Sequence, residues 1–415
     1  MRARNLVMSL ALPLLAAVAV GIAAVVIVGA NNNIGSAPTA IDAGFPPAHV
    51  ATADFGGGPG AAPVQLSAIA AAGPTEVAAG SVGGGLALWE SEDGGSTWQQ
   101  GTVTPAGDAR PRSGQLASVA HGASSWLAVG DATAGAAVAT PVVLGSRDGR
   151  TWATIGQDTF VGRGHITTAA VAAGGAGYVI VGHESDGAST IAAAWYAPGL
   201  TGWRRAADAQ AGALDGPGAR VMSAVTATSR GFAAVGAVGA SPAAWLSATG
   251  RTWTLVPLPL PAGAASAALD YVAANGSTVA AVGTEITAAG QRSPFEVVSA
   301  DAGATWTLAP LPLPASATAA SAATTALTAA GGGFTATGTY GLSGQTDVVV
   351  WTLPAGAAPG TAWTAVAPQG TGLAGPGLHA ITALTATADT LIGVGFTTAT
   401  ATATEPTIWQ SPVRS

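Results

Sequence analysis

Residues 76–98 read EVAAGSVGGGLALWESEDGGSTW, and this stretch decides the fold because its parts return along the whole chain. A short apolar run ending in glycine recurs at Gly80, Gly130, Gly182, Gly236, Gly283, Gly338 and Gly395. The mean interval of about 52 residues is the length of one small antiparallel sheet rather than of a helical repeat. In most copies an apolar strand with a tryptophan follows the glycine, and a tight turn then leads to a second tryptophan, as at Trp89 and Trp98. The turn Ser91-Glu92-Asp93-Gly94-Gly95-Ser96-Thr97-Trp98 returns as Ser299-Ala300-Asp301-Ala302-Gly303-Ala304-Thr305-Trp306. One residue shorter, it is also Ser146-Arg147-Asp148-Gly149-Arg150-Thr151-Trp152.

Within the first copy the reading is four strands, Gln65 to Ala71, Glu76 to Gly80, Leu86 to Ser91 and Thr97 to Val103, separated by turns containing Gly, Pro or Asp. Four short strands per unit make one blade of a propeller. The expected fold is therefore all-β, a seven-bladed β-propeller of four-stranded antiparallel blades over residues 64–415, preceded by one N-terminal transmembrane helix. Innermost strands begin near Leu66, Leu116, Ile166, Val221, Leu269, Ala322 and Ile381 and are dominated by small residues. Of the 12 tryptophans, eleven end a third strand or start a fourth, the pattern of core residues that fill the wedge between blades. The seventh unit ends without a fourth strand. Residues 48–55, with Val50, Thr52 and Asp54 alternating, are the spare segment that could close the ring.

Composition narrows the function. The chain is 49% hydrophobic and only 8% charged, and a net charge of −7 leaves no basic footprint for nucleic acid. Every one of its 14 basic residues is arginine, a composition resembling that of a high-GC bacterium such as an actinobacterium. With no cysteine, disulfides, thiolate metal sites and cysteine catalysis are excluded.

Arg2 and Arg4 precede an uncharged stretch from Leu6 to Ala30, long enough at about 1.5 Å per residue to cross a bilayer core. It exceeds the apolar region of a cleavable signal peptide and reads as an uncleaved anchor, with residues 1–5 cytoplasmic and the rest extracytoplasmic. The expected location is the cell membrane, single-pass. Residues 31–63, rich in Asn, Gly, Ala and Pro, read as a flexible tether.

The Ser-x-Asp-x-Gly-x-Thr-Trp segments at 91–98, 299–306 and 146–152 resemble the Asp-box, or bacterial neuraminidase repeat, of sialidases, some glycanases, sortilin-type receptors and photosystem assembly factors. Ser247-Ala248-Thr249-Gly250-Arg251-Thr252-Trp253 departs from the pattern, with Thr249 where Asp belongs. The resemblance implies that the box lies between third and fourth strands, opposite the binding face. Asp93, Asp148 and Asp301 then read as turn-fixing groups rather than catalytic acids. The Phe/Tyr-Arg-Ile-Pro signature of sialidases is missing, and Tyr178, Tyr196, Tyr271 and Tyr340 have no evident glutamate partner.

No catalytic residue, metal site or cofactor is expected from these patterns. His49, His121, His165, His183 and His379 lack zinc-site spacings. The loop carboxylates Asp108, Asp131, Asp158, Glu184, Asp186, Asp208, Asp215, Glu285, Asp347 and Glu405 form no motif. The candidate binding residues are Gln65, Gln115, His165 and Arg220, each just before an innermost strand, with His379 close to the matching place. Arg110, Arg112, Arg163 and Arg292 on neighbouring loops would make that channel mouth polar and cationic. The expectation is a noncatalytic binding or scaffold module for a protein or glycan at the cell envelope. The alternatives are a sialidase-like or other glycoside hydrolase, and an assembly factor for a membrane complex.

Overall fold

The computed structural model describes residues 62–413 apart from 105–112, 134–138, 315–316, 318–320, 343, 367, 369–371 and 401–402. Among the described residues the secondary structure is β throughout, save one 3-10 turn at Gln157–Thr159. The strands form six sheets, the first of nine strands, and the successive mainly antiparallel units within them open with Val64–Ala72, Ser113–His121, His165–Gly174, Arg220–Thr228, Ala264–Asn275, Ser321–Ala330 and His379–Ala386. Each first strand packs against that of the next unit, and the last packs against the first. This ring of radially arranged small sheets is a β-propeller.

The recurring glycine has a single steric cause. Gly80, Gly130, Gly182, Gly236, Gly283, Gly338 and Gly395 lie opposite Leu66, Leu116, Thr168, Met222, Leu269, Thr324 and Ile381 of their first strands. In all seven the first strand makes a β-bulge immediately after that residue. The distorted ladder brings a carbonyl oxygen to where a Cβ would stand. The gap is 1.8 Å from Gln65 O at Gly80, 2.0 Å from Val221 O at Gly236 and 2.5 Å from Ala323 O at Gly338. Only glycine fits so close a backbone approach.

Between units the packing is apolar. Trp89, Trp195, Trp245, Trp351 and Trp409 at the ends of third strands are completely buried, as are Trp152 and Trp253 at the starts of fourth strands. Each tryptophan removes on the order of 150–250 Å² from water, which the sparse charged residues could not replace. The turn of one unit seats on the third strand of the unit before it. Arg150 Nε lies 2.8 Å from Glu90 Oε2, and the Arg251 guanidinium stands 5.5 Å over the Tyr196 ring.

The same relation closes the circle, because Gln410 Nε2 donates to Gly94 O at 2.7 Å. Thr382 Oγ1 donates to Leu66 O at 2.8 Å, and one core cluster joins Leu66, Trp89 and Trp98 to Ile392, Val394 and Ile408.

The fourth strand of the first unit departs from the sequence reading. Instead of one strand from Thr97 to Val103, Gln99–Gln100 pairs with the third strand, and Thr102–Thr104 runs parallel to Thr151–Thr154 of the second unit. Gly101 is the crossing point, where a Cβ would meet Arg150 O at 2.8 Å and the Trp152 ring at 3.3 Å. Ala207–Asp208 crosses in the same way onto the fourth unit, pairing with Thr252 and Trp253. The last sheet has three strands among the described residues. The stretch 6–30 and the segment 48–55 lie outside the described residues, among which no helix is long and apolar enough to cross a membrane.

Candidate functional site

The two faces of the ring carry different chemistry, and strand direction separates them. First strands start, and second strands end, on the face that holds the connections between units. Third strands run away from it, so the Ser-x-Asp turns lie on the opposite face. In those turns the carboxylate is saturated locally. Asp93 accepts from Thr97 N at 2.8 Å, from the Thr97 hydroxyl at 2.7 Å and from the Ser91 hydroxyl at 2.9 Å. The Thr97 bonds hold its carboxyl down at about 2. Asp301 repeats the arrangement with Thr305 and Ser299, also at about 2. Asp148, bonded to the Thr151 and Arg150 amides, is likewise lowered, chiefly by Thr151.

Where Thr249 replaces the aspartate, the Gly250 amide still donates to Ser247 Oγ at 2.8 Å, and the Trp253 indole to Gly250 O at 3.1 Å. Serine and tryptophan thus hold the turn without a carboxylate.

On the loop-bearing face, Gln65, His165, Arg163 and Arg292 are exposed and Gln115 is half-buried. Arg220 and His379 are buried. The Arg220 guanidinium folds beneath its own loop and donates to the carbonyls of Pro217 and Gly218. His379 Nδ1 lies 2.9 Å from Thr397 Oγ1, its amide donates to Thr346 Oγ1 at 3.1 Å, and burial lowers its pKa. Arg110 and Arg112 lie outside the described residues.

Register also separates the strand-start residues. Gln65 and Gln115 stand one step before the glycine-paired residue, Arg220 and His379 two, and His165 three. Successive side chains point to opposite faces of a sheet, so these five do not occupy equivalent positions around the mouth.

Of the carboxylates read as loop residues, Glu184, Asp131, Asp208 and Asp347 lie within strands, and several are committed to backbone. Glu184 accepts from the amides of Arg163 and Gly164 and pairs with Arg205 Nη2 at 2.6 Å. Burial would raise its pKa, but the Arg205 bond and these amides outweigh that and lower it. Asp208 holds the Leu214 amide at 2.7 Å, Asp347 the Gly375 amide at 2.9 Å, and Asp186 the Ser189 amide at 2.8 Å. Asp131 accepts from Thr168 N at 3.3 Å across the seam between the second and third units, and burial pushes it up to about 6.

Sequence reasoning passed over Asp270, Glu76, Glu90 and Glu296, which lie inside strands. Asp270 occupies the bulge of the fifth unit, accepts from the Thr284 and Thr324 hydroxyls, and is raised by burial to about 6. Glu76, Glu90 and Glu296 are almost wholly buried. The available signal was an acidic residue interrupting an apolar run, as in the ALDYV stretch at 268–272. Among the described residues no three His, Cys, Asp or Glu side chains converge as metal ligands.

No protein-family model matches this chain, and no curated protein does either. Among solved structures it is similar to YCF48 bound to a D1 peptide, with 15% identity over 85% of this chain and 95% of that one and a TM-score of 0.51. YCF48 from Cyanidioschyzon merolae is 11% identical over 84% and 96%, with a TM-score of 0.47. The intramolecular trans-sialidase of Ruminococcus gnavus, solved with oseltamivir carboxylate, is 12% identical over 87% and 95%, with a TM-score of 0.46. At such identities the likeness to the first of these speaks to the propeller fold alone.

Proposed function

We propose that this chain is a seven-bladed propeller of the Asp-box class, tethered to the membrane by residues 6–30, that works outside the cytoplasm as a noncatalytic binding or scaffold module. What carries this reading is the division of roles on the loop-bearing face. Glu184, Asp208 and Asp347 hold loops in place, while Gln65, His165, Arg163 and Arg292 reach solvent. Such a face suits a polar or anionic partner better than bond cleavage by a carboxylate pair. The YCF48 propeller solved with a peptide bound supports a protein as that partner.

The test is crosslinking of the full chain in its native membrane, comparing the wild type with the triple variant Arg163→Ala, His165→Ala, Arg292→Ala. The variant is expected to recover the crosslinked partner at least about 10-fold less well, as for a polar contact centre. Equal recovery would show that this mouth is not the binding surface.

A further inference from the structure

One seam of the ring buries something the equivalent places elsewhere do not. Four residues before the recurring glycine, where the second strand faces the end of the third, the chain carries Trp126, Tyr178, Phe232, Val279, Phe334 and Leu391, all buried. The first unit has Glu76 there, opposite Ser91 and completely buried. In the third unit this position reaches toward the preceding one: the Tyr178 hydroxyl donates to Ser125 O and accepts from the Gly122 amide at 3.0 Å. For Glu76 the preceding unit is the last. Ala78, two residues on and therefore on the same side of the strand, shares a core cluster with Ile392, Val394 and Ile408 of the last sheet. Glu76 thus stands in the seam that joins the two ends of the ring.

Neither carboxyl oxygen of Glu76 has a hydrogen-bond partner among the described residues. The donors beside it are spent within the Ser-x-Asp turn, the Gly95 amide on Ser91 Oγ at 2.9 Å and the Ser91 hydroxyl on Asp93 Oδ1 at 2.9 Å. Around it, the strands Val64–Ala72, Gly85–Ser91, Thr390–Thr400 and Ala403–Pro412 carry no basic residue. Their acids are Glu90, turned to the other side and paired with Arg150, and Glu405, near the loop-bearing end. His379 opens its strand at that same distant end, and the neighbouring turns add Glu92, Asp93 and Asp389. Burial pushes the Glu76 carboxyl up to about 7 despite the nearby Ser91 hydroxyl, and the charge of Asp93 adds to the rise.

A neutral carboxyl can be packed among apolar groups at moderate cost, whereas a carboxylate without a partner cannot. We infer that Glu76 is a proton-operated latch on ring closure. While its carboxyl is neutral, the seam between the last and first units packs as the others do; ionised, the group is stable only in water, and the seam opens to hydrate it. The contacts that yield are those of Gln410 with Gly94 O and of Thr382 with Leu66 O. With the seam open the group titrates near 4.5, and with it closed near 7. The seam is therefore tightest below pH 4.5 and loses that stability as pH rises through 7.

The test is amide hydrogen exchange of the full chain at pH 5 and pH 8, expressed as opening equilibria after correction for the intrinsic pH dependence of exchange. Wild type is compared with Glu76→Gln and with Glu76→Leu, the residue that the last unit carries at this place. At amides of strands 64–72 and 403–412, the ratio of wild-type to variant opening is expected to rise at least about 30-fold from pH 5 to pH 8. At the seam between the third and fourth units the same ratio is expected to change less than about 3-fold. Glu296→Gln, buried elsewhere in the ring, is expected to keep the wild-type response at the closing seam. A ratio that does not change with pH at 64–72 and 403–412 would overturn the inference. So would an equal rise at the third-to-fourth seam, which would make Glu76 a determinant of the whole fold rather than of its closure.

Discussion

At the scale of single residues, the buried carboxylates are the points where the chain holds charge-capable groups against their solvation. Glu296 is 1% exposed within the fifth unit, and burial pushes its pKa up to about 8 against a lowering contribution from the Trp363 indole. The folded protein therefore keeps a proton that the unfolded chain loses near pH 4.5. Between about pH 4.5 and 8 the native state binds more protons, so this group makes stability fall as pH rises. Glu296→Gln is expected to unfold at a higher urea midpoint than the wild type at pH 8.5 and at nearly the same midpoint at pH 4. A difference that does not change with pH would refute the assignment. The three turn aspartates are opposite in sign, held low by amides and hydroxyls, and they were legible in the sequence because every bond they make is within four residues.

At the scale of the element, the bulge governs the repeat. Its position opposite glycine was hidden from the sequence, where the copies invite alignment by their first apolar residue, Ile166, Val221 or Ala322. The ladder aligns them instead by Thr168, Met222 and Thr324. The steric argument predicts a contrast between two glycines. In Gly236→Ala the new methyl meets Val221 O at 2.0 Å, whereas at Gly175 nothing lies within 4 Å and φ is ordinary. The first substitution is expected to cost about 2–4 kcal/mol in urea unfolding and the second less than about 0.5, the range of unstrained surface changes. Equal effects would mean that the second strand tolerates a side chain there and that the glycine recurs for another reason.

At the scale of the whole molecule, the last sheet is bonded to the first, so the sheets are expected to unfold together. Thr382 Oγ1 bonds both Leu66 O and Val394 O, linking the last unit to the first across 316 residues of sequence. Thr382→Val keeps the shape and removes the donor, and is expected to lower stability by about 1–2 kcal/mol while unfolding remains a single transition. A separate early transition would indicate that the seventh unit melts alone and that the ring is not one folding unit. The loop-bearing face belongs to this scale too. Arg220 and His379 read as mouth residues along the chain, yet both are buried, Arg220 beneath its own loop and His379 between Thr397 of its own sheet and Thr346 of the sheet before it.

By itself the sequence determined the repeat period, the all-β class, the positions of the tryptophans and the turn chemistry. Each of these depends on residues close together in the chain, where propensity and local hydrogen bonding act. Only the tertiary structure decided which carbonyl crowds each glycine, where the outer strands cross to the next sheet, and which polar side chains on the loop face remain in water. Those depend on approaches between segments from 15 residues apart, at the glycines, to 316 apart, where the last sheet meets the first, and solvation there is set by what the ring brings alongside.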